Sequence, residues 1–373
     1  QPEASYNTDE FIFIVPQNEQ DSSNLSISND GEEGSILVYD LNVAPYPVAS
    51  NQIDEYGYAW VDSNDSNDIT SYEWIDITAD NTILEFESND TAAEIILDFN
   101  FPFYDNNYNN CLINPNGWIG FEDDNNGWNN QSIFDDESPN GAIFGFWDDL
   151  NPANSGNEVG AGYVKYHSNE DRLVVWFDNV VHWTSLERIY DFQIIIYPSG
   201  KIDMNYRSMF GEIASSTIGL KSPNGNYGLE VVHNDSFMDN NLSVSYNTSK
   251  WLSTNLLSGN STQLGYGLTA TYSINVNTDN LEDGIYTSYV VNSTNAMNNT
   301  DIFPVILNTQ DSFLLGDVTQ DGVLDVLDIV LLINIIMGQH SPSSLDFILS
   351  DLNEDGAINV QDCILLINII LNS

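Results

Sequence analysis

Basic residues are what this chain has least of: seven Lys and Arg stand against 56 Asp and Glu, a formal net charge of −49 over 373 residues. Phosphate backbones are held by clustered basic side chains, so nucleic-acid binding is excluded as a function class. Adsorption to an anionic membrane surface is excluded for the same reason. Cysteine is equally scarce, and Cys111 and Cys363 lie too far apart in the chain to suggest a disulfide framework. No apolar run reaches the ~20 residues of a bilayer span. Four histidines, His167, His182, His233 and His340, lie in unrelated contexts. None adjoins a G-x-S-x-G elbow or an H-E-x-x-H pair, and neither cysteine has a basic neighbour to activate it. No catalytic residue is assigned, and a non-enzyme is expected. The chain opens at Gln1 with no basic stretch and no initiator Met, which reads as an exported chain whose signal peptide has been removed.

Apolar and aromatic residues are plentiful, at 42% and 12%, enough to build cores and too many for a disordered acidic chain. The length suggests two to four domains of about 100–200 residues. Up to residue 311 the pattern is almost wholly one of strands: Phe11–Val15, Ile36–Leu41, Leu173–Phe177, Phe192–Tyr197 and Tyr272–Val276 are short runs of β-branched and aromatic residues between Asn, Asp, Gly and Ser. In the last of these Tyr272, Ile274 and Val276 point one way and Ser273 and Asn275 the other, as in a strand with one wet face. Pro198-Ser199-Gly200-Lys201 predicts a hairpin turn. No amphipathic helix is expected before residue 326. Seven of the eight tryptophans (Trp60, Trp74, Trp118, Trp128, Trp147, Trp176 and Trp183) fall between residues 46 and 248. On strands they are core residues; exposed in a row they would stack on sugars. The acidic run from Asp62 to Asp68 and the Asp148-Asp149 pair read as solvated or amide-capping turns, although either is acidic enough for a cation.

The end of the chain changes character. DVTQDGVLDVLDIVLLINIIMG from Asp317 is followed, 34 residues on, by DLNEDGAINVQDCILLINIILNS from Asp351, an internal repeat that marks a duplicated unit. Each copy places oxygen-bearing side chains at positions 1, 3, 5, 9 and 12 of a loop. They are Asp317, Thr319, Asp321, Asp325 and Asp328 in the first copy, and Asp351, Asn353, Asp355, Asn359 and Asp362 in the second. Glycine holds position 6 as Gly322 and Gly356, where the chain must turn sharply. The carbonyls of Val323 and Ala357 at position 7 complete a shell suited to calcium, a hard ion that takes six to eight oxygens. Asp rather than Glu fills position 12, and this last ligand opens a helix at the favourable end of its dipole. Two Ca²⁺ ions are expected.

These residues closely resemble the type I dockerin family over about 312–373. The resemblance implies a small helical module with two EF-hand-like loops that binds a cohesin-type partner through its helix pair. Loop positions 10 and 11, which help set partner choice in dockerins, are Val326 and Leu327, and Val360 and Gln361. Ile329, Val330, Leu331, Leu332, Ile333, Ile335 and Ile336 are more than a two-helix module can bury by itself. The surplus faces either the preceding β domain or another molecule. NLSISNDGEEGSILVYDLNV from Asn24, and WLS at Trp251 with LEDGIYTSYVV and IFPVILN after it, resemble two halves of one immunoglobulin-like repeat of secreted bacterial proteins. FNFPFYDNNYNNCLINPNGWIGF from Phe99, AIFGFWDDLNP from Ala142 and RLVVWFDNVVHW from Arg172 resemble a β-sandwich module of bacterial surface proteins and the nidogen-type extracellular domain.

The expected fold is mainly β. An immunoglobulin-like sandwich (1–45 plus 249–311) is interrupted by an inserted, jelly-roll-like sandwich (46–248) and followed by the dockerin (312–373). The expected function is that of a non-catalytic, calcium-dependent, secreted or cell-surface protein, structural or adhesive. It assembles through the dockerin on a cohesin-like domain or on neighbouring copies of itself, as a filament or matrix subunit does. The alternative is a carbohydrate-binding accessory module, holding polysaccharide and tethered by the dockerin.

Overall fold

The computed structural model describes the chain apart from residues 65–69, 123–126, 154, 156–159, 280, 282–283, 298, 310–314, 320–321, 341, 343, 354–356 and 373. The fold is mainly β, built as two sandwiches and a short helical end. In the first sandwich one sheet runs in the order Ala4–Tyr6, Gln20–Asn29, Thr269–Asn277, Leu252–Ser258. The facing sheet runs Phe11–Ile14, Thr300–Asn308, Ile285–Thr294, Ile36–Ala44, Gln263–Gly265. Strands from the first 44 residues thus pair with strands beyond residue 251. Thr269–Asn277 lies antiparallel to Gln20–Asn29 over nine residue pairs, and Phe11–Ile14 lies parallel to Thr300–Asn308. Neither chain segment has enough apolar surface to close a core alone. Together they bury Phe11, Phe13, Leu25, Ile27, Ile274, Val290, Val305 and Leu307 between the sheets. Tyr272, Ile274 and Val276 face inward as their alternation predicts.

Between these segments lies the second sandwich. Its six-stranded sheet runs Gly228–His233, Thr217–Lys221, Ala142–Trp147, Trp118–Gly120, Asn106–Asn114, Ala93–Phe103. Against it packs a larger sheet centred on Leu173–His182, Ser185–Ile196 and Ile202–Phe210. The core is aromatic: Phe177 stacks on Phe192 at 4.5 Å, and Phe146 meets Tyr190 at 4.6 Å. The hairpin at Pro198 to Lys201 forms as predicted. Gly200 takes φ +89°, which a Cβ would oppose, and donates its amide to the Tyr197 carbonyl at 2.9 Å. A small apolar cluster of Ala44, Tyr46, Val48, Ala59, Val61 and Val291 joins the two sandwiches.

The few cations hold the larger sheet's outer face. Arg207 bonds Asp191 through Nε at 2.7 Å and Nη2 at 2.6 Å, and Trp176 Nε1 donates to the same carboxylate at 2.8 Å. The guanidinium lies 4.2 Å from the Trp74 ring, and Lys165 Nζ lies 4.5 Å from that of Trp176. Ile75 is pinned beside them, because Gln193 donates to its carbonyl at 2.6 Å and accepts from its amide at 3.2 Å.

Away from this face, Asp54 relies on neutral donors. Buried Asp54 accepts the Tyr56, Gly57 and Tyr58 amides at 3.1, 2.8 and 2.8 Å, and the Tyr104 hydroxyl at 3.0 Å. Burial outweighs these bonds and pushes its carboxyl up to about 6. The folded state therefore holds the Asp54 proton more tightly than the unfolded one. Its stabilising contribution is complete below the ordinary carboxylate range and is lost as pH rises through about 6. Asp54→Asn should remove this dependence. Urea unfolding at pH 5 and pH 7 should show the wild type losing about 1 kcal/mol relative to the variant, and parallel behaviour of the two would contradict it.

Candidate functional site

The helical end consists of α1 (Val326–Ile336), α2 (Ser344–Ser350) and α3 (Val360–Asn372). Helices α1 and α3 pack on each other around Val318, Leu332, Ile335, Cys363 and Leu366, a core that among the described residues draws none from either sandwich. Gly316 enters this core at φ +103°, with no room for a Cβ beside Leu366. Helix α2 was not legible in the sequence. Its Leu349 carbonyl accepts the Gly316 amide at 3.0 Å and so ties the segment before the second loop to the start of the first.

Both loops fold around the last acid of their repeat. In the first, Asp328 is fully buried; Oδ1 accepts the Thr319 amide at 3.0 Å and its hydroxyl at 2.8 Å, and Oδ2 accepts the Asp325 amide at 2.9 Å. Asp317 Oδ2 accepts the amide of Gly322, whose φ is +82°. The second loop repeats this plan, with Asp362 Oδ1 on the Asn353 amide at 3.3 Å and Oδ2 on the Asn359 amide at 2.8 Å. Asn359 Nδ2 donates to the Ala357 carbonyl at 3.0 Å. Asp325 and Asn359 also cap their helices, accepting the Leu327 and Gln361 amides at 2.7 and 2.8 Å. This second role follows from their spacing to Asp328 and Asp362, the reciprocal pattern of a capping box, which a reading for ligands alone overlooks.

The structure thus brings Asp317, Thr319, Asp325 and Asp328 into one hydrogen-bonded loop, and joins Asn353, Asn359 and Asp362 in the other. Asp351 lies buried at the start of the second loop, and Val323 and Ala357 are exposed. Asp321 and Asp355, with Gly356, lie outside the described residues. Among the described residues no three His, Cys, Asp or Glu side chains gather as a metal-holding group. The donor chemistry nonetheless fits a hard divalent cation. Asp317, Asp328, Asp351 and Asp362 are all buried, and the last Lys or Arg of the chain is Lys250. Buried carboxylates with no Lys or Arg in their module fit a bound cation.

The four positions expected to touch a partner, Val326, Leu327, Val360 and Gln361, are all exposed. Val330 and Ile333 on α1, and Ile364, Leu365 and Ile369 on α3, are exposed with them. The surplus of the apolar helices therefore forms an open surface.

The inserted sandwich carries the remaining candidates. Trp118, Trp147 and Trp176 are buried, Trp60 and Trp74 half-buried, and only Trp128 and Trp183 exposed. Trp74 meets Trp176 edge-on at 83°, not as a coplanar platform. Asp148 is an amide-capping turn residue: Oδ1 accepts the Asp149 amide at 2.9 Å and Oδ2 the Ser215 hydroxyl at 2.7 Å. Most of the Asp62 to Asp68 run lies outside the described residues.

Comparison with known families places two matches on this frame. The NIDO-related family matches residues 66–255, just over half of the chain, and the dockerin type I domain matches residues 315–371. No curated protein matches the chain.

Asp328→Ala deletes three hydrogen-bond acceptances at a fully buried site and should cost about 3 kcal/mol. Hydrogen exchange should then show amides 317–371 losing protection while those of both sandwiches keep theirs. Unchanged protection of α1 and α3 would contradict this account of the loop.

Proposed function

The chain belongs to the NIDO-related family and carries a type I dockerin domain, and from that premise we propose that it is a non-catalytic, calcium-dependent extracellular assembly protein. The dockerin implies cohesin-mediated assembly. The sandwiches are then the cargo or building block that the module fixes in place. Each loop would hold one Ca²⁺: Asp317, Thr319, Asp321, Asp325 and Asp328 with the Val323 carbonyl, and Asp351, Asn353, Asp355, Asn359 and Asp362 with the Ala357 carbonyl. The bound ion supplies the positive charge that neither repeat contains, so metal binding and folding of the module share one free energy.

The observation that carries this reading is the exposed, uncharged helix surface. Val326, Leu327 and Val330 on α1, with Val360, Ile364 and Leu365 on α3, stand open to solvent in a chain of net charge −49. Burying one such side chain stabilises a complex by about 1.5–3 kcal/mol. An apolar patch of this kind is a docking surface before it is anything else. Because positions 10 and 11 carry Val326-Leu327 and Val360-Gln361, the complementary cohesin is one with an apolar contact face.

The test is capture of the full chain on a panel of immobilised cohesin domains, in millimolar Ca²⁺ and again in EDTA. Binding should occur in calcium and disappear with the chelator. Leu327→Lys combined with Ile364→Lys should weaken it at least a hundredfold, about 2.7 kcal/mol, while both sandwiches stay folded. Sedimentation of the chain alone under the same conditions separates a cohesin partner from self-assembly. Capture that survives EDTA, or the double substitution, would refute the proposal.

A further inference from the structure

Asn205 and Gln193 lie side by side on neighbouring strands of the larger sheet, and both reach out to the segment that passes over its outer face. Gln193 uses both ends of its amide there, on the two backbone groups of Ile75. Asn205 uses one. Its Nδ2 donates to the Glu73 carbonyl at 2.7 Å, while Oδ1 has no hydrogen-bond partner among the described residues, although Asn205 is only 3% exposed. Buried acceptors are almost always paired, because an unpaired one gives up its hydration without return. Asn205 forms part of the wall of a recess of about 200 Å³, which Glu73, Arg172, Tyr197, Lys201 and Asp203 also line. A donor for Oδ1 has to come from whatever fills that recess.

Two opposite charges stand open at the same place. Lys201 and Asp203 satisfy each other at 2.9 Å, and the second Asp203 oxygen accepts the Ser245 hydroxyl at 2.6 Å. Arg172 and Glu73 differ from that pair. Arg172 is half-buried and Glu73 exposed, and neither side chain forms an ion pair with a described residue or with the other. Burial pushes the Tyr197 hydroxyl up; Asp203 adds to this, Arg172 opposes it and Glu73 adds again. Both free charges therefore act on one point of the recess wall. An idle guanidinium is out of place in a chain with seven basic residues and a net charge of −49. A ligand that completes the set brings a carboxylate for Arg172, a cationic N–H group for Glu73 and a donor for Asn205 Oδ1. An α-amino acid carries all three on one carbon, and as a zwitterion it escapes the repulsion that the chain's field exerts on an anion. A glycan offers hydroxyls but no charge for either side chain, and a peptide terminus offers only one of the two charges. The recess is smaller than those that hold drug-sized ligands, which favours a short side chain. We propose that this recess of the inserted sandwich binds a small free α-amino acid, its carboxylate on Arg172 and its ammonium shared by Glu73 and Asn205 Oδ1. The site is independent of the helical docking surface.

L-Alanine titrated into the full chain at physiological salt with millimolar Ca²⁺, and followed by saturation-transfer NMR, tests this directly. Saturable binding in the millimolar range is expected. Propionate, which lacks the ammonium, and L-alaninamide, which lacks the carboxylate, should each bind about tenfold more weakly. Two substitutions then assign the charges. Arg172→Gln should lower the affinity for L-alanine to that of L-alaninamide and leave L-alaninamide itself unchanged. Glu73→Gln should lower it to that of propionate while binding propionate no more weakly than before. Neither side chain bridges to a described residue, so both variants should fold, and a loss that depends on which end of the ligand is charged is not one that unfolding produces. Arg188→Gln, at the far end of the same sheet, should change nothing. No saturable binding of L-alanine would overturn the proposal. So would propionate or L-alaninamide binding as tightly as L-alanine, or an affinity indifferent to the Arg172 and Glu73 substitutions.

Discussion

Most acidic side chains that leave the surface of this protein must find a donor other than lysine or arginine, because the chain has only seven of those for 56 acids. Three of them show how the structure meets that constraint. Asp54 gathers three amides and a phenol, Asp148 an amide and a serine hydroxyl, Asp328 two amides and a threonine hydroxyl. Hydrogen bonds from fixed backbone amides to a carboxylate are charge-assisted and carry no rotamer cost on the donor side. They also fix the local chain path, so each buried acid organises a turn.

The scarce cations are concentrated accordingly. Arg207, Lys165 and Lys201 all pair with acids of one sheet, at Asp191, Asp178 and Asp203. Lys221 is spent on the carbonyls of Asp135 and Ser138 at 2.7 and 3.2 Å. The helical module receives none. A small helical unit with a core of a few residues and several buried carboxylates has little margin of stability. Divalent cations bound in the two loops, as proposed above, would supply what the chain withholds.

The loops and the strands were legible in the sequence to different depths. The duplicated loop is a local object, in which ligand type, glycine and spacing all lie within twelve residues, so the pattern alone singles out its candidate members. The long strands were visible for a similar reason, since alternation reports a half-buried face. What remained hidden was short or non-local. Helix α2 is too brief to show a period. The capping duties of Asp325 and Asn359 were masked by their candidacy as ligands.

By itself, then, the sequence determined the sign of the surface, the strand-rich body, the two acidic loops and the apolar character of the helices that follow them, because each is a property of composition or of near neighbours. Only the tertiary structure decided which segments share a sheet, and so brought Gln20–Asn29 beside Thr269–Asn277 across more than two hundred intervening residues. It also decided which of the tryptophans are core, and that the helices bury Leu332 and Ile335 while leaving Val326, Leu327 and Val330 open. The physical reason is the same in each case. Burial and pairing depend on what closes over a residue from elsewhere in the chain, and no local pattern records that partner.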